Sequence, residues 1–212
     1  MPETPLLILG AGTFAIETLE IAEVAGGFRP AGFVVSDPPA VREHAGLPVY
    51  EEGSIPESLR HAHVVAGIVS TRRRAFIERM MARGFTFTAL RHPTAIVSPR
   101  ASIAPGAVIG AGVIVASNTG VGPHVLLNRG ANIGHDNRIG AFATISPGAT
   151  IAGGVEIGEG AYIGVGAVIR DHVAIGASAV VAAGAVVVKP VEPGVLVAGC
   201  PATVMRRDVN GL

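Results

Sequence analysis

The sequence predicts a small parallel α/β unit over residues 1–92, followed by a three-sided solenoid of short strands over residues 93–212. Two observations carry this prediction. From Ala95 the chain divides into sixteen consecutive six-residue units that run to Pro190 without an insertion, and the third residue of every unit is Ile, Val or Leu. Ahead of them, apolar strand-like runs alternate with a helical pattern, as a parallel α/β unit requires. The 29 glycines and 15 prolines, an unusual load in 212 residues, fit frequent sharp corners.

In the first unit, Leu6–Leu9 reads as a buried strand, Gly10-Ala11-Gly12 as a tight turn and Thr13–Ala25 as a helix closed by Gly26-Gly27. Ala31–Val35 reads as a second strand leading into Ser36-Asp37-Pro38-Pro39, and His63–Val69 as a third. Arg72–Arg83 is expected to be a helix ending at Gly84, and Thr86–Leu90 leads into His92-Pro93 and the first hexad. Gly10 to Ala15 fits the G-x-G-x-x-G/A pattern at a strand-to-helix turn, with Asp37 at the end of the second strand, where an acid would meet a ribose. Two readings stay open. Either turn amides at the helix N-terminus hold a nucleotide phosphate, or the glycines merely let helix pack on strand. A full dinucleotide dehydrogenase does not fit, because ninety residues hold only half of such a site.

A six-residue period is wrong for a helix and too long for one strand's alternation, but it fits a solenoid that turns a corner every six residues. With three sides per coil, residues eighteen apart stack at the strand spacing of roughly 4.8 Å, giving about five coils and roughly 25 Å of prism. The fourth residue of each hexad is mostly small (Gly110, Gly122, Gly134, Gly140), which is read as the requirement of a sharp corner. Residues 191–212 close the array.

Composition narrows the function. Sixteen basic residues balance sixteen acidic ones, so no electrostatic footprint exists for nucleic acid or an anionic membrane. Aromatic residues are 4% with no Trp, too few for base-stacking platforms. Gly, Pro or polar residues break every apolar run well short of about 20 residues, so no membrane span is expected. The run Leu6–Leu9 lacks a basic segment before it and is not read as a signal peptide; a cytoplasmic protein is expected. The single Cys200 excludes an internal disulfide and a Cys-cluster zinc site.

The hexad pattern resembles the hexapeptide-repeat acyltransferases. With the glycine turn, His92-Pro93 and the closing Gly199-Cys200-Pro201-Ala202, the chain is similar to their sugar acyltransferase subfamily, which includes N-acetyltransferases of nucleotide-linked amino sugars and sialic acid O-acetyltransferases. The resemblance implies an N-terminal Rossmann-like domain that binds the nucleotide sugar, followed by a left-handed parallel β-helix that binds acetyl-CoA, usually in a homotrimer. It implies His135 as the base that takes the proton from the acceptor amine, with Asp136 raising its basicity. Independently of the family, the coil on one side presents Gly153-Gly154 at this corner, leaving open space beside His135-Asp136. Neighbouring side chains on a strand diverge, so this pair must curl together at the corner or Asp136 must act through its field alone.

Candidate substrate-binding residues are Gly10, Gly12, Thr13, Phe14, Ser36, Asp37 and Asn128. Asn128 matches an Asn of the family motif that would orient the acceptor or an acyl group across the subunit boundary, although an Asn ladder or a turn cap inside the solenoid is its other reading. By resemblance, backbone at Gly153, Val165, Ala183 and Gly184 would line the cofactor groove. Thr144 stands where relatives usually have a second His against acetyl-CoA, and its hydroxyl would donate a hydrogen bond there instead. Thr13-Phe14 likewise replaces a Gly-His common in relatives. No Ser or Cys is placed with a base, so direct attack without a covalent enzyme intermediate is expected. No metal is expected: His172 lies on the same corner as Asp136 two coils away, about 10 Å, and His124 falls on another corner. Sugar O-acetylation, and a scaffold that binds a nucleotide sugar without turnover, remain open alternatives.

Overall fold

The structure, a computed structural model, describes residues 3–212. The first unit contains β1 (Thr4–Leu9), α1 (Thr13–Ala25), β2 (Phe28–Val35), β3 (Glu43–His44), β4 (Leu47–Glu51), β5 (His63–Ala66), α2 (Arg74–Ala82) and β6 (Thr86–Phe87). They form one six-stranded sheet in the order β3-β4-β2-β1-β5-β6, parallel except for the β3–β4 edge hairpin. Strand residues alternate between its two faces. Leu7, Leu9, Val34 and Val64 pack with Phe76, Ile77 and Met80 of α2, whereas Leu6, Ile8, Phe33 and Val65 pack with Ala15, Leu19 and Ala22 of α1. The sheet is therefore sandwiched between α1 and α2. The β3–β4 hairpin was not expected from the sequence; its turn uses Ala45 and Gly46 at φ 47 and 74, both in the left-handed region that two-residue hairpins favour. The expected strand His63–Val69 stops at Ala66, and the expected helix Arg72–Arg83 divides into a 3-10 turn over Thr71–Arg73 and α2.

The hexads form a parallel β-helix with three faces, and together with the repeat this fits the left-handed class. Strand pairs eighteen residues apart align in register, as in Val108↔Leu126↔Thr144 and Ile114↔Asn132↔Thr150. The third residues fill the interior: Ile109, Leu127, Ile133, Ile145, Ile163 and Ile169 are fully buried. The eight-stranded face starts at Leu90–Arg91, just before the repeat, and ends in a hairpin of Leu196–Gly199 with Ala202–Arg206.

The corner geometry corrects one expectation. The left-handed turn residue is the sixth of the hexad, not the fourth, in every hexad but the first and last: Gly112, Gly130, Gly148 and Gly166 all have φ between 64 and 67. The fourth residue is small for a different reason, because it stacks directly on the backbone of the next coil. A Cβ at Gly134 would lie 2.7 Å from the backbone of Ala152, and one at Gly140 would lie 2.7 Å from the nitrogen of Glu159. Six hexads carry a side chain at the left-handed sixth position: Asn118, His124, Asp136, Phe142, His172 and Ser178. Such a conformation is costly for His and Phe, so these positions mark the corners where side chains are needed.

The three faces differ in what they present outward. The eight-stranded face is covered by the first unit, with Leu90, Val108 and Leu126 against α1. The five-stranded face presents Ser102, Gly120, Arg138, Glu156 and Ala174, a polar or small column. The six-stranded face leaves Ile96, Ile114 and Val168 exposed in one register.

Candidate active site

His135 and Asp136 occupy the last two positions of their hexad, at the edge where the six-stranded and five-stranded faces meet. The left-handed φ of 57 at Asp136 turns its side chain back towards its neighbour. As a result His135 Nδ1 lies 2.7 Å from Asp136 Oδ2. Of the two arrangements considered from the sequence, the pair curls together. Asn118, one coil earlier, donates from Nδ2 to Asp136 Oδ1 at 3.0 Å. These two hydrogen bonds hold the Asp136 carboxyl below the usual carboxylate range, that from His135 contributing most. An ionised carboxylate only accepts, so Nδ1 carries the proton and Nε2 is left as the basic nitrogen. Both side chains are exposed in the single chain, His135 by 67%.

The space that the sequence places beside this corner is filled by the imidazole itself. A Cβ on Gly153 would fall 2.6 Å from His135 Cε1 and 2.7 Å from Nε2. Gly153 is thus the floor on which the ring rests. Val165, Ala183 and Gly184 lie together along a different edge, tied by the bond from Gly184 N–H to the Val165 carbonyl at 2.8 Å. Within one chain the proposed cofactor residues are therefore split between two edges that bound the same six-stranded face.

The candidate substrate residues also divide. Gly10, Ser36 and Asp37 line one cavity of about 420 Å³ with Val35, Ile68 and Phe76. Gly10 has φ 92, and a Cβ there would strike Ile68 at 2.8 Å, so only glycine fits. Ser36 Oγ donates to Asp37 Oδ2 at 3.0 Å. Gly12 and Thr13 are exposed where α1 begins. Phe14, in the first turn of α1, faces the β-helix instead and lines a second cavity of about 250 Å³ with Glu17, His92, Asn128 and Arg129. Asn128 is buried there, and its Oδ1 accepts from the Arg129 N–H at 2.7 Å, so it does cap its own turn.

Thr144 is a correction. Its side chain is fully buried under the first unit, on the eight-stranded face. Its hydroxyl donates to the Val69 carbonyl at 3.0 Å and accepts from Arg73 Nη1 at 2.8 Å. Arg73, 3% exposed, gives its other donors to the carbonyls of Val69, Ser70, His124, Phe142 and Ala143. A guanidinium with these acceptors and no carboxylate bolts the loop after β5 to the β-helix; burial draws it down to about 10, still charged at neutral pH. Arg73 was not singled out from the sequence, and Asn118 was placed on this corner by the eighteen-residue spacing but given no role. His124, on the corner facing α2, is buried between Phe87 and Phe142 and stacks on the latter at 5.0 Å. Among the described residues, no three His, Cys, Asp or Glu side chains gather to hold a metal ion, and no helix is long and apolar enough to cross a membrane.

The family model described as bacterial transferase hexapeptide (six repeats) matches residues 130–171. No curated protein matches the chain by sequence. Among solved structures, PerB from Caulobacter crescentus in complex with CoA and GDP-perosamine is 32% identical, with a TM-score of 0.89 over 95% of this chain and 97% of that one. The acetyltransferase domain of PglB from Neisseria gonorrhoeae in complex with acetyl coenzyme A is 32% identical, with a TM-score of 0.86 over 96% of this chain and 100% of that one. WeeI from Acinetobacter baumannii is 27% identical, with a TM-score of 0.85 over 95% and 100%. Two further similar structures from Caulobacter crescentus are of a perosamine N-acetyltransferase and a GDP-perosamine N-acetyltransferase, each in complex with CoA and GDP-perosamine. The likeness runs through both the sheet unit and the β-helix, and the chain belongs to the hexapeptide-repeat sugar acyltransferases.

Proposed function

We propose that the protein transfers an acetyl group from acetyl-CoA to an amino group of a nucleotide-linked sugar, with His135 as general base. The observation that carries this reading is the His135–Asp136 pair held over Gly153 on an open edge of the β-helix. It is supported by the match along nearly the whole chain to GDP-perosamine N-acetyltransferase. Residues 1–92 are taken as a Rossmann-like unit whose cavity beside Gly10 and Asp37 receives the nucleotide, and residues 93–212 as the acyl-transfer unit. Asn128 and Phe14 would line the approach for the sugar.

In the reaction, the acceptor amine attacks the thioester carbonyl as its proton passes to His135 Nε2. Asp136 holds the imidazolium through Nδ1–H. The tetrahedral intermediate collapses, the carbon–sulfur bond breaks, and CoA thiolate leaves with the proton available on Nε2. No covalent enzyme intermediate is needed.

A homotrimer fits the exposed Ile96, Ile114 and Val168, which share a column with the polar Asn132 and Thr150. The column lies on the face between the His135 edge and the Val165–Gly184 edge. A second copy covering that face would bury these side chains and bring the two edges into one groove for the pantetheine arm. A cytoplasmic location is consistent with these substrates.

The test is to mix the purified protein with acetyl-CoA and a panel of nucleotide-linked amino sugars while following free thiol. Thiol release that depends on the sugar, and is lost in His135→Ala, is the expected result. Tight sugar binding with no release from any acyl donor would overturn the reading in favour of a scaffold.

A further inference from the structure

The first residue of each hexad points into the β-helix, and fourteen of the sixteen are Ala or Val. The two exceptions are Thr119 and Asn137. They are eighteen residues apart, hence stacked on consecutive coils, and they lie directly inside the corner that carries His135 and Asp136. Both are buried, Thr119 to 1% and Asn137 to 0% exposure. A hydroxyl and a primary amide in an otherwise aliphatic interior are costly unless their hydrogen bonds are made.

Those bonds are made, and they all fall on the turn. In eleven of the sixteen hexads the first residue closes the corner by donating its N–H to the carbonyl three residues back, as from Ala143 to Gly140 at 3.4 Å and from Ala161 to Gly158 at 3.2 Å; Val125 and Val173 lack that bond, as Thr119 does. At the His135 corner the Asn137 N–H goes instead to Thr119 Oγ1 at 3.1 Å. The Gly134 carbonyl receives Thr119 Oγ1 at 2.7 Å and Asn137 Nδ2 at 3.0 Å. On the next coil, the Val155 N–H, which follows Gly153-Gly154, donates to Asn137 Oδ1 at 2.6 Å. Two side chains thus take over the closing bonds of two successive turns, the one that bears the imidazole and the one on which it rests.

We infer that Thr119 and Asn137 are positioning residues that act through the Gly134 carbonyl and the Val155 N–H to fix the turn aiming His135 and Asp136. The inference deepens, and rests on, the reading of His135 as the base. Without these side chains the turn would keep only its coil-to-coil backbone bonds, as from the Asp136 N–H to the Ser117 carbonyl at 2.9 Å. The reaction would then lose the placement of Nε2, which affects the chemical step more than the binding of either substrate.

The experiment uses the whole protein and compares Thr119→Val, which keeps volume but removes the hydroxyl, with Thr119→Ser, which keeps the hydroxyl. Two quantities are read on folded material: kcat and KM for both substrates, and the imidazole 15N signals of His135, assigned by their loss in His135→Ala. The expected result is a fall in kcat of about tenfold or more in Thr119→Val, with both KM values within about twofold. The His135 signals shift in parallel, and Thr119→Ser restores both. Should Thr119→Val not fold, Thr119→Ala against Thr119→Ser isolates the hydroxyl in the same way. Unchanged His135 signals in the folded variant that lacks the hydroxyl would overturn the inference, including the case where activity falls only with the folded fraction. If His135→Ala keeps its turnover, the assignment of the base fails, while the imidazole signals still decide whether Thr119 positions the ring.

Discussion

Two imidazoles sit eleven residues apart on neighbouring corners of one β-helix, in opposite environments. His135 stands on an open edge, its Nδ1 bonded to Asp136 and its ring resting on Gly153. His124 is closed between Phe87, Phe142 and the Arg73 clamp. Burial first, and the Arg73 charge second, push His124 down to about 4, so it is neutral at any pH near 7. The difference comes from the neighbours on the adjoining coils and on the first unit, not from the local hexad sequence. One corner leaves its side chains on an open edge, the other uses them to join two units.

The largest expected effect breaks the comparison on the open side. His135→Ala should lower kcat by about a thousandfold, within the range for loss of a general base, while thermal unfolding barely changes because the side chain is exposed. Thiol release and a melting curve on the same sample check both halves.

The next effect belongs to the buried side. The folded value of His124 lies below its unfolded value of 6.5, so between pH 6.5 and 4 the unfolded chain binds the proton that the folded chain refuses. Stability is then full above pH 6.5 and falls with pH towards 4, by about 3 kcal/mol at 1.36 kcal/mol per unit. Urea unfolding of the protein and of His124→Phe at pH 7.5 and 4.5 should show this loss only where the imidazole is present.

Gly153→Ala sharpens the comparison further. The backbone there is not in the left-handed region, so the methyl group displaces only the flexible imidazole above it. Activity should fall by about a hundredfold with stability within about 0.5 kcal/mol. A fall in stability of several kcal/mol would show that Gly153 serves the coil and not the ring. The smallest effect is expected at Ser146, whose hydroxyl is buried without a partner. Ser146→Ala should raise stability by about 1 kcal/mol, read as a higher urea midpoint with activity unchanged.

The β-helix was legible in the sequence because each coil repeats one packing constraint, an interior Ile, Val or Leu every six residues. The helix Thr13–Ala25 and the cavity-lining Gly10 and Asp37 were legible because turn and capping chemistry is local. Other features were hidden because they depend on residues far apart in the chain. Thr144 could be compared with relatives but not placed, since its burial is decided by Arg73, seventy-one residues earlier. The role of the sixth hexad residue was hidden because glycine at the fourth position, required by stacking, looks the same in sequence as glycine required by φ. One signal was available and went unread: the interruption of the Ala/Val column by Thr119 and Asn137.

Sixteen hexads without an insertion give the β-helix corners two residues long. Between residues 95 and 190 no segment is free to swing across His135 and shut out solvent. Whatever dries the imidazole must come from outside the repeat: the reactants themselves, an adjoining copy, or chain before residue 95 or after residue 190. The rate at which a bound thioester is hydrolysed without acceptor would report how much of that cover the acceptor has to supply.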